Sequence, residues 1–296
     1  MLLAVPNFSE GRNSETIDSI GRALAHELAV LDVHSDPIHN RSVFTVARHM
    51  LVWSGLVQGA ASAAAAIDMR EQVGAHPCIG ALDVCPVVYL GAEDRESAQR
   101  DALDVADAIG GELNIPVFLY GDLASSPERC ERAFFRRGGL PELTRRMHLG
   151  ELDPDRGPSE PHPTAGATLV TARPPLAAFN VELDTPDREV ATAVAVELRE
   201  AGGGLPGVRA IGVELPGDHS QVSTNVHDPV AVPLARVVAE IGRLAGAHGA
   251  RPVRAELVGL VPAAAIEGYP EDVPLAGFDP DRHLIERRLA RLDDAT

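Results

Sequence analysis

One pattern of apolar and amphipathic stretches runs through the chain twice in the same order, on either side of a segment rich in Pro, Gly and acid, GELDPDRGPSEPHPTAG, residues 150–166. In the first pass Leu2 to Val5 reads as a strand. The turn-rich stretch Pro6 to Asn13 then leads into a helix with Ile17, Ile20, Leu24 and Leu28 on one stripe. Two β-rich runs, Val30 to His34 and Ser42 to Ala47, flank Asp36-Pro37-Ile38-His39-Asn40, and a helix around Leu56 to Ile67 and the run Ala81 to Leu90 follow. A helix with Ala98, Ala102, Val105, Ile109 and Leu113 on one face, then a strand at Val117 to Tyr120, extend this half. The second pass has a strand at Leu176 to Leu183 and a helix at Asp187 to Glu200. A hairpin of Val208 to Glu214 with Gln221 to Val226, a helix at Pro233 to His248 and a strand at Val253 to Val261 complete it.

Each pass is βαββαβ. The expected class is therefore α/β (α+β), with two ferredoxin-like subdomains, mixed sheets and helices on the outer faces. The expected domains are residues 1–175 and 176–296, with residues 150–166 as an ordered loop or linker and a ligand-favouring cleft where the domains meet.

At 296 residues, with 45% hydrophobic and 23% charged positions, the chain can bury a sizeable core. A formal charge of −17 argues against a basic track for nucleic acid or an anionic membrane. All 26 cationic residues are Arg, so Schiff-base chemistry and the phosphate-loop lysine are excluded. The three cysteines, Cys78, Cys85 and Cys130, make no disulfide framework, which fits a reducing, cytoplasmic compartment. The start, MLLAVPNFSEG, lacks a cationic leader, and its apolar run is too short for a signal peptide. His49 to Ile67 is uncharged, but its Ser, Gln, Ala and Gly content predicts a buried helix rather than a membrane span.

Chemistry-bearing residues crowd three Pro/Gly-marked segments: Pro6 to Gly11, His34 to Arg41, and Gly74 to Asp83. Loops held by a rigid sheet are where reactive side chains tend to sit. His76, followed by Pro and bracketed by glycines, reads as a general base or as a turn histidine. His34, Asp36 and His39, or His76, Cys78, Asp83 and Cys85, offer metal donors without a diagnostic spacing, and solvated turn residues are the competing reading. Cys85 lies in an apolar run and reads as core. Arg41, Arg70 and Arg173 are candidates for a guanidinium fork on a carboxylate. GxGxxG after a strand and GxSxG do not occur.

Long motifs in these segments carry a resemblance. VPNFSEGRN (5–13), LDVHSDPIHNRSVFT (31–45), IDM (67–69), GAHPCIGALDVCP (74–86), PVFLYG (116–121), GATLVTARPPLAAFNVEL (166–183), QVSTN (221–225) and ELVGLVP (256–262) are similar, in order and spacing, to the formiminotransferase family. The resemblance spans nearly the whole chain. It implies a two-subdomain transferase, expected to be a homodimer on small-molecule substrates, that moves a formimidoyl group from N-formimidoyl-L-glutamate to tetrahydrofolate as co-substrate, with no metal. His76 matches the family's catalytic histidine. Asn40 and Arg41 match an Asn-Arg pair beside the site, and Asn7 and His34 stand in matching motifs. The folate-contacting loop corresponds to Gly157, Pro158, Ser159, Glu160, Pro161, His162, Pro163, Thr164, Ala165 and Gly166. Against the family pattern, His34 replaces an acid, Pro161 and Ala165 replace aromatics, and Pro174 replaces a lysine. The cyclodeaminase of fused relatives, a separate helical domain, is not expected in a chain ending at Thr296. The alternatives are a divergent metal-dependent hydrolase of a formimidoyl or amidine compound, a transferase with another donor or acceptor amine, and a relative that binds without turnover.

Overall fold

In a computed structural model describing residues 2–37, 39–48, 54–74, 77–215 and 217–293, the first apolar run becomes β1 (Leu2–Ala4), followed by the short β2 (Asn7–Phe8). Helix α1 (Ser14–Ala25) starts where the Asn13 side chain accepts from Thr16 N at 3.2 Å, the ordinary N-cap arrangement. Next come β3 (Leu28–Asp36), β4 (Arg41–Arg48), α2 (Ser54–Ala66), β5 (Leu82–Tyr89), α3 (Arg95–Glu112) and β6 (Val117–Leu119). The expected helix over 49–67 is present as α2; residues 49–53 lie outside the described ones. Two short helices, α4 (Arg132–Arg136) and α5 (Gly139–His148), and strand β7 (Thr168–Arg173) complete the first of two compact units, Met1–Arg173.

Its seven-stranded sheet contains the ferredoxin-like order β3, β4, β1 with β2, β5, all antiparallel. β7 and β6 extend it in parallel beyond β5. One face is packed by α1, α2 and α3, which bury Ile20, Leu24, Leu56, Ala102, Val105 and Ile109 against Phe8, Phe44, Val46, Cys85 and Val170. Phe8 and Phe44 meet edge to face at 5.5 Å, and burying a side chain of this size contributes about 1.5–3 kcal/mol. Cys85 is core, as its apolar run suggests, and burial pushes its thiol up to about 12. Part of the other face is covered by α4 and α5 through Phe135, Leu143 and Met147 on Val84, Phe118 and Leu169.

Residues 150–166 do not link the units. They form an ordered loop inside the first one, bridging to the sheet at Val117 with Arg156 and at Gly80 with Gly166. Gly166 has φ +71°, and a Cβ there would sit 2.2 Å from Ile79 O, so this close approach of backbones requires glycine. No strand is expected from the sequence over 168–173, where β7 lies; the division falls one strand later than the Pro/Gly-rich segment, at Arg173/Pro174.

The second unit, Pro174–Thr296, contains β8 (Ala177–Leu183), α6 (Arg188–Leu198), β9 (Val208–Glu214), β10 (Ser220–Val226), α7 (Leu234–Gly246) and β11 (Pro252–Val258). β12 (Leu275–Ala276), α8 (Pro280–His283) and α9 (Ile285–Asp293) follow. Its sheet order, β12-β11-β8-β10-β9, repeats the ferredoxin-like arrangement with β12 added in parallel at the edge. Val194 and Leu198 of α6 and Val237, Ile241 and Leu244 of α7 bury one face against Phe179, Val181 and Val222.

Candidate functional site

Strand register sorts the polar residues of the first unit by face, because residues directly opposite in a sheet share one. Phe44 and Val46 turn into the helix-packed core. Alternation therefore sends Arg41, Val43 and Thr45 to the other side. Asp36 is opposite Arg41, His34 and Asn7 are both opposite Val43, and Asn7 is also opposite Val84. Across β5, Val84 pairs with Leu169, Pro86 with Thr171 and Val88 with Arg173. Asn7, His34, Asp36, Arg41, Thr171 and Arg173 thus occupy one face, beside the end covered by α4 and α5.

Guanidinium groups gather on that face. Arg41 is held below its ordinary value, first by burial and then by Arg136 and Arg132, while Asp83 and Asp36 pull it back. Arg173, which hydrogen-bonds Tyr120, is lowered to about 10 by burial and by Arg132. Both remain cationic at neutral pH, and an arriving carboxylate would relieve the crowding. Arg132 and Arg136 are the functional candidates that sequence reading missed. Their i, i+4 spacing in ERAFFRR would place both on one side of a helical turn, which was the available signal. Arg70, a sequence candidate for holding a carboxylate, instead forks onto Asp68 with its Nε 2.9 Å from Oδ1, on the exposed surface.

Asp83 fastens the loop that carries His76. It is 2% exposed, accepts from Ile79 N at 2.8 Å through Oδ1, and takes the Arg136 guanidinium through Oδ2. Cys78 in the same loop hydrogen-bonds Ser9, and burial raises its thiol above the ordinary range. His76 itself lies outside the described residues.

Asn40 joins three loops. It is 8% exposed, its Oδ1 accepts from Gly11 N at 2.9 Å, and its Nδ2 donates to Gln72 Oε1 at 2.5 Å. Gln72 Nε2 in turn donates to Ser9 O at 2.9 Å and Asn40 O at 3.1 Å. Asn40 also has φ +48°, a conformation that asparagine tolerates better than other residues with a side chain. Asn40→Ala is expected to cost about 2–4 kcal/mol, from backbone strain plus an orphaned buried N–H. Asn40→Gly should recover about 1–2 kcal/mol of it. Urea midpoints check this, and equal loss in both variants would show that the backbone conformation contributes nothing.

His34 is exposed on the edge strand β3, and Asn7 Nδ2 donates to Val5 O at 2.8 Å. Asp36 and His39 bond each other at 2.5 Å across their turn. Among the described residues, no three His, Cys, Asp or Glu side chains are placed to hold a metal. In the loop, Gly157, Ser159, Glu160 and Pro163 are exposed, and Pro158, Pro161, His162 and Thr164 are half-buried. Ala165 and Gly166 are buried.

In the second unit the sheet face opposite the core carries Asn180 and Glu182 of β8, Gln221, Ser223 and Asn225 of β10, and Arg254 and Glu256 of β11. Glu182 and Arg254 pair at 2.6 Å. The alternation in FNVEL and QVSTN produces this polar face.

Residues 1–173 match the family model described as the formiminotransferase domain, N-terminal subdomain, and residues 178–268 the one described as the formiminotransferase domain. A glutamate formimidoyltransferase of Streptococcus pyogenes serotype M1 is 38% identical over 291 residues, covering 96% of this chain and 97% of that one. A protein of the same name from Thermoplasma acidophilum is 35% identical over 294 residues, covering 97% and 96%. The formimidoyltransferase-cyclodeaminase of Mus musculus is 39% identical over 272 residues, covering 88% of this chain and 50% of the mouse protein. The chain belongs to the formiminotransferase domain family.

Proposed function

We propose that this chain is a folate-dependent transferase that moves the formimidoyl group of N-formimidoyl-L-glutamate to tetrahydrofolate, giving 5-formimidoyltetrahydrofolate and glutamate. The observation that carries this reading is the likeness to the streptococcal glutamate formimidoyltransferase over nearly the full length of both chains. The arginine-lined sheet face supports it, since the donor is a dicarboxylate and folates end in a glutamate. Those names favour group transfer over the hydrolase alternative.

In the transfer, the N5 lone pair of tetrahydrofolate attacks the formimidoyl carbon and forms the new C–N bond. His76 takes the N5 proton and returns it to the glutamate nitrogen as the old C–N bond breaks. An imidazole suits this two-way traffic because it titrates near neutrality. Tetrahydrofolate is a co-substrate, consumed at every turnover, and no step calls for a metal. Arg41, with Arg136 and Arg132 near it, receives a carboxylate of the donor. Asn7, His34 and Asn40 border that position, and the exposed part of loop 157–166 meets the folate. The odd, unbridged cysteines support a cytoplasmic setting, and the homodimer is carried over from the family resemblance.

The test is steady-state turnover of formimidoylglutamate with tetrahydrofolate, read as methenyl-folate absorbance after acid treatment, for the wild type and Arg41→Met. Wild-type turnover is expected. The variant should raise KM for formimidoylglutamate about 10- to 100-fold, the worth of a hydrogen bond to a charged group, without loss of thermal stability. An inactive wild type overturns the function, and an unchanged donor KM removes Arg41 from the site.

A further inference from the structure

We propose that His162 is a positioning residue for tetrahydrofolate: its imidazole, fixed with Nδ1 as acceptor, holds the turn that shapes loop 157–166. This deepens the functional reading above and rests on it for the identity of the ligand. Backbone bonds from His162 N to Gly166 O at 2.8 Å and from Gly166 N to His162 O at 3.0 Å close the turn Pro163-Thr164-Ala165. Nδ1 of His162 lies inside that turn. It accepts from Ala165 N at 3.0 Å and from Thr164 N at 3.4 Å, with Thr164 Oγ1 at 3.5 Å.

Both peptide donors point at one nitrogen, so Nδ1 carries no proton and the hydrogen of the neutral ring sits on Nε2. The bond to Ala165 matters because that residue is 1% exposed, and a buried N–H needs an acceptor. The turn is a docking piece as well. Thr164 O accepts from Met69 N at 2.8 Å, and Ala165 O accepts from Ala81 N at 2.9 Å. The second of these joins the turn to the end of the loop that carries His76. Flanking prolines at 161 and 163 stiffen the chain but cannot themselves donate. The ring thus does what an Asn or Asp side chain does in an Asx turn.

The geometry sets a discriminating series. Asn places Oδ1 where Nδ1 stands, two bonds from Cβ; Gln places its polar atoms near Nε2 instead; Ala has neither. His162→Ala and His162→Gln are expected to raise KM for tetrahydrofolate about five- to tenfold, while kcat and KM for formimidoylglutamate stay within about twofold. His162→Asn should restore the folate KM to within about twofold of the wild type. Amide exchange gives an arm that needs no substrate: Ala165 should exchange at least about tenfold faster in the Ala and Gln variants and at the wild-type rate in Asn. Asn behaving like Ala, or unchanged exchange and unchanged folate KM in the Ala variant, overturns the proposal. If the exchange pattern appears as expected but the wild type does not turn over tetrahydrofolate, His162 shapes the loop and the assignment of the loop to folate fails.

Discussion

Replacing His76 by alanine is expected to lower kcat for formimidoyl transfer by about 100- to 10,000-fold, the usual span for loss of a positioned general base and acid, with KM for both substrates changed less than about threefold. The asymmetry follows from the chemistry. N5 of tetrahydrofolate becomes cationic as it bonds to the formimidoyl carbon, and glutamate cannot leave as a nitrogen anion. One group must therefore remove the first proton and supply the second. His76→Gln offers hydrogen bonds of similar reach without a titrating proton, so it should stay as slow as His76→Ala and lack the pH dependence near neutrality that is expected of the wild-type kcat. The measurement is kcat across pH for the wild type and both variants, with circular dichroism confirming the fold. Gln restoring the rate would mean that the residue orients the substrates and moves no proton.

Much of this architecture is written in local patterns. The stripe of α1, the alternation in β8 and β10, and the hairpin of β9 with β10 are all readable from spacing, because one face of each is buried and the other is not. β5 is different: apart from Asp83, LDVCPVVY is apolar along its whole length, because α1 to α3 cover one of its faces while α4 and α5 cover the other at Val84. Such a run cannot report which side a neighbour lies on. The small helices α4 and α5 escaped notice for the same reason that they matter. Each is too short to be stable alone and is fixed by Phe135, Leu143 and Met147 reaching the sheet. Missing α4 meant missing Arg132 and Arg136. Arg41 stood out in its own loop, but its repulsion by two guanidiniums more than ninety positions away is a tertiary fact. The docking role of residues 150–166 was hidden likewise, since Pro and Gly mark a linker and an ordered loop alike and only the backbone bonds at Gly80 and Val117 tell them apart.

Arg136 leads to the largest expected effect on stability. Its guanidinium is locked into the Asp83 carboxylate with almost no exposure, 8% for its side chain and 3% for that of Asp83. Removing one partner of such a pair strands the other charge in the interior, so Asp83→Leu is expected to cost about 3–5 kcal/mol. Arg136→Met should cost a similar amount, because Asp83 would keep its bond from Ile79 N but lose its counter-charge. The double variant Asp83→Leu with Arg136→Met removes both charges and should regain most of the loss, since buried ion pairs rarely outperform an apolar replacement of similar volume. Activity should not return with stability. The double variant still lacks the carboxylate that ties Ile79 and α4 together, and with it the support of the loop that carries His76. Urea unfolding followed by circular dichroism and turnover on the same three proteins separate these effects. If the double variant were as unstable as the sum of the singles, the pair would not be coupled and Asp83 would act through Ile79 alone. If the double variant were both stable and fully active, the tie would have no part in shaping the site.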